Sequence, residues 1–196
     1  MDQNKFKIVW GIGFIMIFII RLPYFWLARS TRIVVDRRTV RERILLALLA
    51  VGVGVLPLVY IFTPSLNFAN YQLPSWAGWT GAAIFATGIW VLWRAHAALG
   101  RYWSDSVQLR QGHQLVTSGI YQHIRHPIYT FGWLLGIAQA LLLWNWVVAV
   151  AGLASFALIY FQRVRHEEQM MLDQFGEAYQ AYMNRTGRIV PRWAEK

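Results

Sequence analysis

The chain has 196 residues, 57% of them hydrophobic and 14% charged, with a formal net charge of +10 at pH 7 and no cysteine. That balance is far from a soluble domain and reads as an integral membrane protein, while the missing cysteines exclude a disulfide framework, a thiolate metal site and a cysteine nucleophile. The basic excess falls mainly between apolar runs, where anionic headgroups attract it, which argues for membrane lipids and against nucleic acid as partners.

Apolar runs cover about residues 7 to 28, 44 to 63, 73 to 98, 128 to 143 and 146 to 162. Backbone polar groups in lipid must be satisfied within the segment, so five transmembrane helices are expected. The first run follows Lys5 and Lys7 as a signal peptide would, but it carries Arg21 and Pro23, ends in Tyr24, Phe25 and Trp26, and lacks an A-x-A site. It is therefore expected to be a retained span. The loop RSTRIVVDRRTVRER at 29–43 holds six arginines, whereas TPSLNFANYQ at 63–72 holds no charge. The positive-inside rule then makes the arginine loop cytoplasmic, the N-terminus outside, and both the 99–127 segment and the C-terminus cytoplasmic. In a prokaryote the membrane would be the cell inner membrane. The last two runs are short, since sixteen residues make a rod of about 24 Å. Only Trp144-Asn145-Trp146 parts them, so a tight helical hairpin is expected. Trp10, Trp26, Trp76 and Trp79 lie near span ends, where an aromatic belt belongs.

The expected fold is all-α: about five transmembrane helices in a single membrane domain over 1–196, with 1–72 as N-terminal spans and the polar residues gathered in a cytosolic cap. Between the third and fourth runs, glycines and a Ser/Thr/Asp cluster mark a structured loop ending in IRHPIY. Pro127 disfavours the α region for His126 and suits the first turn of a helix, whose N–H groups would face the cytosol as a place for a carboxylate or phosphate. Arg125 and His126 are equally read as interface residues snorkelling to headgroups. A metal at His123 and His126 is disfavoured, because Pro127 argues against their sharing a helix and no third ligand is evident. After the last run, Phe161, Met170, Leu172, Phe175, Tyr179 and Tyr182 can form one apolar face of a helix interrupted near Gly176. Arg163 and Glu167 lie four apart, on one face; the ordinary reading of such a pair is a solvated ion pair. Acids so close to lipid need partners, however, and the hairpin returns Arg163 and Glu167 to the membrane face that holds His126 and Tyr129.

LVTSGIYQHIRHPIY, an apolar hairpin and RVRHEEQMMLDQFGEAYQAYMNRTGRIVP, in that order over roughly residues 95 to 193, resemble the isoprenylcysteine carboxyl methyltransferase family and its phospholipid methyltransferase relatives. The resemblance implies a methyltransferase core over 73–196 that uses S-adenosylmethionine and a lipidic or small hydrophobic acceptor, with a carboxylate as accepting group and no metal. It implies cofactor contacts from His113, Gln114, Leu115, Val116, Tyr121, His126, Pro127, Ile128, Tyr129 and Glu167. Arg163 would hold the acceptor, and Arg163 and Glu167 together would carry the catalytic roles. An amine or thiol acceptor would further need a base, for which His126, His166 and Glu168 are candidates. The family usually has glycine two residues after the tyrosine of its RHPxY element; here Phe131 stands there and Gly132 follows. Two other readings stand beside this one: an NADPH-dependent sterol or steroid-type membrane reductase, which shares an RHP-Y element, and a non-catalytic membrane protein of the same fold. Arg21 and Arg94, inside proposed spans, either border an acceptor tunnel or snorkel.

Overall fold

An apolar chain in lipid has no hydrogen-bond partner but itself, and most of this chain is accordingly helical. The computed structural model describes residues 2–29, 33–36, 39–100, 108–110 and 114–192. Helix α1 spans Asp2–Arg29, strand β1 Ile33–Asp36 and helix α2 Val40–Ala50. A π-helical turn, Val51–Val55, leads into α3, Leu56–Phe62. The chain continues with α4 (Ser75–Leu99), β2 (Gln108–Arg110), α5 (Pro127–Leu143), α6 (Trp146–Phe175) and α7 (Glu177–Arg185). The protein is an all-α integral membrane protein apart from the short β1–β2 pair. Gln3–Leu27, Val40–Phe62, Ser75–Leu99 and Trp146–Phe175 are long and apolar enough to cross a bilayer, and α5 is a shorter apolar helix of 17 residues.

Two boundaries differ from the hydropathy reading. The second run is not one α-helix, because the π turn interrupts it. A wider turn frees a carbonyl, and the Gly52 oxygen is met at 3.0 Å by Nε2 of the fully buried Gln139, which also donates to Val148 O at 2.9 Å. The last helix does not stop near residue 162: it holds no Pro or Gly beyond Gly152, so it runs on to Phe175 and ends where Gly176 adopts φ 51°. That extension carries the polar residues of the RVRHEE segment out of the apolar layer on a rigid rod.

Helix α1 rests on α4 and α5, α5 packs between α4 and α6, and α2 rests on α6. Phe6, Trp10, Ile17, Phe85, Leu92 and Leu142 form the larger core, and a second cluster of Leu45, Tyr129, Phe156, Ile159, Tyr160 and Val164 ties α2 to the α5–α6 hairpin. The hairpin turn is tight because Trp144 takes the left-handed conformation, φ 49° and ψ 39°. Asn145 then caps α6: its Oδ1 accepts from Val148 N at 3.2 Å, while Nδ2 donates to Leu66 O at 2.8 Å and Asn70 Oδ1 at 3.0 Å. Asn145→Leu is expected to lower stability by about 2 kcal/mol, since it removes the cap on the buried Val148 N–H and the two bonds that tie the turn to Leu66 O and Asn70 Oδ1. Thermal unfolding in detergent measures this.

At the opposite end β1 pairs antiparallel with β2, and Ile124 bridges Gly187 in parallel. β1 thus meets the segment before α5 through β2, and that segment meets the C-terminal segment through Ile124.

Candidate active site

Pro127 starts α5 as its residue type dictates, leaving His126 at the N-cap in a non-helical conformation, φ −127° and ψ 61°. The C-terminal segment crosses beneath this helix start. Arg125 N and His126 N donate to Gly187 O and Arg188 O, both at 2.9 Å, and Gly187 N donates to His123 O at 3.0 Å. A side chain at Gly187 would collide with the Val190 carbonyl, so only glycine permits this crossing. Thr130 Oγ1 adds a 2.6 Å bond to Ile189 O.

Glu168, 5% exposed, is the charged centre of that junction. Its Oε1 accepts from Arg125 Nε at 2.7 Å and Arg188 Nε at 3.0 Å, and its Oε2 from Arg188 Nη2 at 2.5 Å. Arg125 also donates from Nη1 to Thr186 O at 2.7 Å. The hydrogen bonds that Arg188 donates to Glu168 push its guanidinium above its ordinary pKa, so this end of the network stays charged. Nothing in this arrangement suits Glu168 to accept a proton; it fastens the C-terminal segment to the IRHPIY turn. His166, another candidate base, is exposed and turned back onto Gln162 O at 2.6 Å.

The neighbouring residue faces elsewhere. Glu167 Oε1 lies 3.0 Å from Arg163 Nη2, and its Oε2 lies 3.8 Å from His126 Nδ1. The His126 and Tyr129 rings stand 5.4 Å apart. Arg163, Glu167, His126 and Tyr129, scattered between positions 126 and 167 of the sequence, thus converge as the hairpin geometry requires.

They do so on the wall of a cavity of about 950 Å³ that is also lined by Gln114, Leu115, Val116, Tyr121, Pro127 and Ile128. Of the residues singled out from sequence, His113 lies outside the described residues. Tyr179 and Tyr182 close the polar end, and Tyr182 OH donates to Tyr121 O at 2.7 Å. Burial pushes the phenols of Tyr121, Tyr179 and Tyr182 above the ordinary tyrosine range, so near neutral pH they are hydrogen-bond donors and not bases.

The other end is apolar. From Met171 to Phe156, both of which line the cavity, α6 rises about 22 Å. Here the walls are α1 on one side and α2 with the π turn on the other. Ile15, Phe18, Ile19 and Leu22 line the cavity and are also more than half exposed, so it opens on the lipid-facing side of the bundle. Phe131 is buried against the α1–α4 core and lines the cavity, and Gly132 leaves the space that the Phe156 ring fills. The pair thus exchanges bulk between two adjacent faces of α5. Arg21 also lines the cavity, whereas Arg94 does not.

Two participants escaped the sequence reading. Arg188 follows a glycine in a segment without periodicity, and only its contact with Glu168 reveals it. Glu42 sits on α2 beside Arg163 with Oε1 at 3.6 Å from Nε, 7% exposed. In sequence, Thr39-Val40-Arg41-Glu42 reads as a helix-capping box, which hides any further role.

The family model described as "Isoprenylcysteine carboxyl methyltransferase (ICMT) family" matches residues 80–173. Protein-S-isoprenylcysteine O-methyltransferase of Dictyostelium discoideum is 33% identical over 136 residues, 67% of this chain and 54% of that protein. Protein-S-isoprenylcysteine O-methyltransferase B of Arabidopsis thaliana is 30% identical over 94 residues, 47% of this chain and 48% of that protein. Cobalt-zinc-cadmium resistance protein CzcN of Cupriavidus metallidurans is 33% identical over 144 residues, 71% of this chain and 63% of that protein. The chain spans about half the length of the first two relatives.

Proposed function

Since the chain belongs to the isoprenylcysteine carboxyl methyltransferase family, we propose that it transfers a methyl group from S-adenosylmethionine to the headgroup of a lipidic acceptor, with the carboxylate of a prenylated cysteine as the acceptor type its named relatives suggest. The observation that carries this reading is the two-ended cavity, polar where the IRHPIY turn and α7 meet and apolar where α1 and α2 flank a lipid-facing opening.

The residues at the polar end fit the donor. The Tyr129 hydroxyl and His126 Nε2 are buried without a hydrogen bond among the described residues, the latter 3.4 Å from Glu168 Oε1, and Glu167 presents a carboxylate in the same wall. Such a set suits a nucleoside carrying hydroxyl and ammonium groups. S-adenosylmethionine would supply, when bound, a methyl group on a sulfonium, to which an acceptor lone pair can bond as the S–C bond breaks and its electron pair leaves on a neutral thioether sulfur, with no acid catalysis needed. Glu167 would accept hydrogen bonds from the donor's hydroxyls or ammonium, with Gln114, Leu115, Val116, Tyr121, Pro127, Ile128 and Tyr129 forming the remaining walls. Arg163 would hold an acceptor carboxylate through a planar fork and aim one oxygen. The low polarity of the cavity excludes water, and orientation supplies the rate. On the positive-inside rule this end faces the cytoplasm as a cofactor-binding cap, and the acceptor enters sideways between α1 and α2.

Titration of detergent-purified protein with S-adenosylhomocysteine and, separately, NADPH tests the reading. Saturable binding of the first and none of the second is expected; binding of NADPH alone would establish the reductase reading instead, and binding of neither a non-catalytic protein. Transfer of labelled methyl from the cofactor to membrane lipid extracts then identifies the acceptor class.

A further inference from the structure

Arg163 has a second carboxylate beside it, and it comes from a part of the chain far from the motifs. Thr39 caps α2 by accepting 3.1 Å from Glu42 N, which fixes the first turn of that helix. In a capping box the third residue would turn its carboxylate back to the cap. Here Glu42 is buried, and its Oε1 makes no hydrogen bond among the described residues yet lies 3.6 Å from Arg163 Nε, while Glu167 Oε1 holds Nη2 at 3.0 Å. Glu42 does not line the cavity; Arg163 and Glu167 do. The α2 carboxylate therefore stands outside the reacting space, on the Nε side of the guanidinium.

An arginine side chain has a large rotamer entropy to lose before it can present a fixed fork. One carboxylate, Glu167, lies on the same helix and on the cavity wall, where cofactor groups would compete for it. A second carboxylate from another helix, 3.6 Å from Nε, narrows that freedom further, because its attraction for the Nε side disfavours rotation of the guanidinium about its long axis.

We infer that Glu42 is a positioning residue for methyl transfer: it holds Arg163 in the orientation that receives the acceptor and makes α2, one wall of the acceptor's entry, part of the reacting centre. This rests on the methyltransferase reading, and Glu42 lies outside the region, 80–173, that the family model matches.

The test uses Glu42→Gln, Glu42→Ala and Glu42→Asp, with a prenylated N-acetylcysteine as acceptor probe. For Glu42→Ala, kcat/KM for the probe is expected to fall at least about tenfold, the scale of a small misplacement of a reacting group. The dissociation constant of S-adenosylhomocysteine should stay within about twofold, and Glu42→Asp should recover part of the loss. Wild-type kcat/KM in both Glu42→Ala and Glu42→Gln would overturn the inference, as would equal losses of cofactor affinity and turnover. A second readout does not depend on turnover. In protein labelled with ¹⁵N-arginine, the Arg163 Nε–H signal, identified by its absence in Arg163→Lys, should be sharp in the wild type and broadened in Glu42→Ala. An unchanged signal would overturn the role of Glu42, whereas wild-type protein that binds no S-adenosylhomocysteine would overturn the methyltransferase reading and leave the Arg163 signal to judge Glu42.

Discussion

Glu168→Ala is expected to lower the stability of the folded protein by about 3 kcal/mol or more, the scale on which losing one partner leaves a buried charge unmatched. Most of that cost falls on Arg125, whose side chain is 10% exposed; Arg188, at 42%, can regain water and contributes little. The loss should not remain local. Arg125 joins Glu168 to the Thr186 carbonyl, and the backbone bonds from Arg125 and His126 to residues 187 and 188 hold the C-terminal segment under the start of α5. Unfastening that segment should loosen His126 and Tyr182, so affinity for S-adenosylhomocysteine should fall together with the unfolding temperature. Glu167→Ala is the control: its carboxylate pairs closely with one arginine on its own helix and only loosely with His126, at 3.8 Å, and its removal should reduce cofactor affinity with a much smaller change in unfolding temperature. Thermal unfolding in detergent separates the two variants. Equal unfolding temperatures for Glu168→Ala and wild type would remove Glu168 from its structural role.

Arg163→Ala is expected to lower methyl transfer to a prenylated cysteine by about a hundredfold or more, because an acceptor without its clamp loses the orientation on which displacement depends. The dissociation constant of S-adenosylhomocysteine should stay within about threefold. The variant also deprives Glu42 and Glu167 of the guanidinium both lie beside, so a loss of stability is expected beside the loss of rate. Arg163→Lys separates the effects: a point charge keeps the two acids neutralised but not the planar fork, so stability should be largely restored and turnover should not. Turnover in Arg163→Lys equal to wild type would mean that only charge matters at this position.

The exchange of bulk at Phe131 and Gly132 has a consistent physical account. Phe131 points to the α1–α4 side and helps wall the cavity, while the vacant space at Gly132 admits the Phe156 ring from α6. A one-residue shift of the small position along a helix rotates it by about 100°. The close approach therefore falls on the α6 face, and the large ring falls on the side where an acceptor chain would lie.

Much of the protein follows from local rules applied to the sequence. Continuous apolar runs had to be helices, the three residues at 144–146 had to make a tight reversal, and Pro127 had to begin a helix with His126 at its cap. Gly176 had to end α6, and four-residue spacing had to set Arg163 beside Glu167. These outcomes depend on backbone sterics and hydrogen-bond need, which act within a few residues. Tertiary structure decided the rest. Glu167 and Glu168 are adjacent and chemically alike, yet one lines the cavity and the other binds two arginines from distant segments, because neighbours on a helix point about 100° apart and only packing selects which faces inward. The same dependence on packing brings Glu42 to Arg163 and Arg188 to Glu168. Each of those carboxylate–guanidinium pairs spans segments that meet only after the helices have assembled, so no spacing along the chain encodes it.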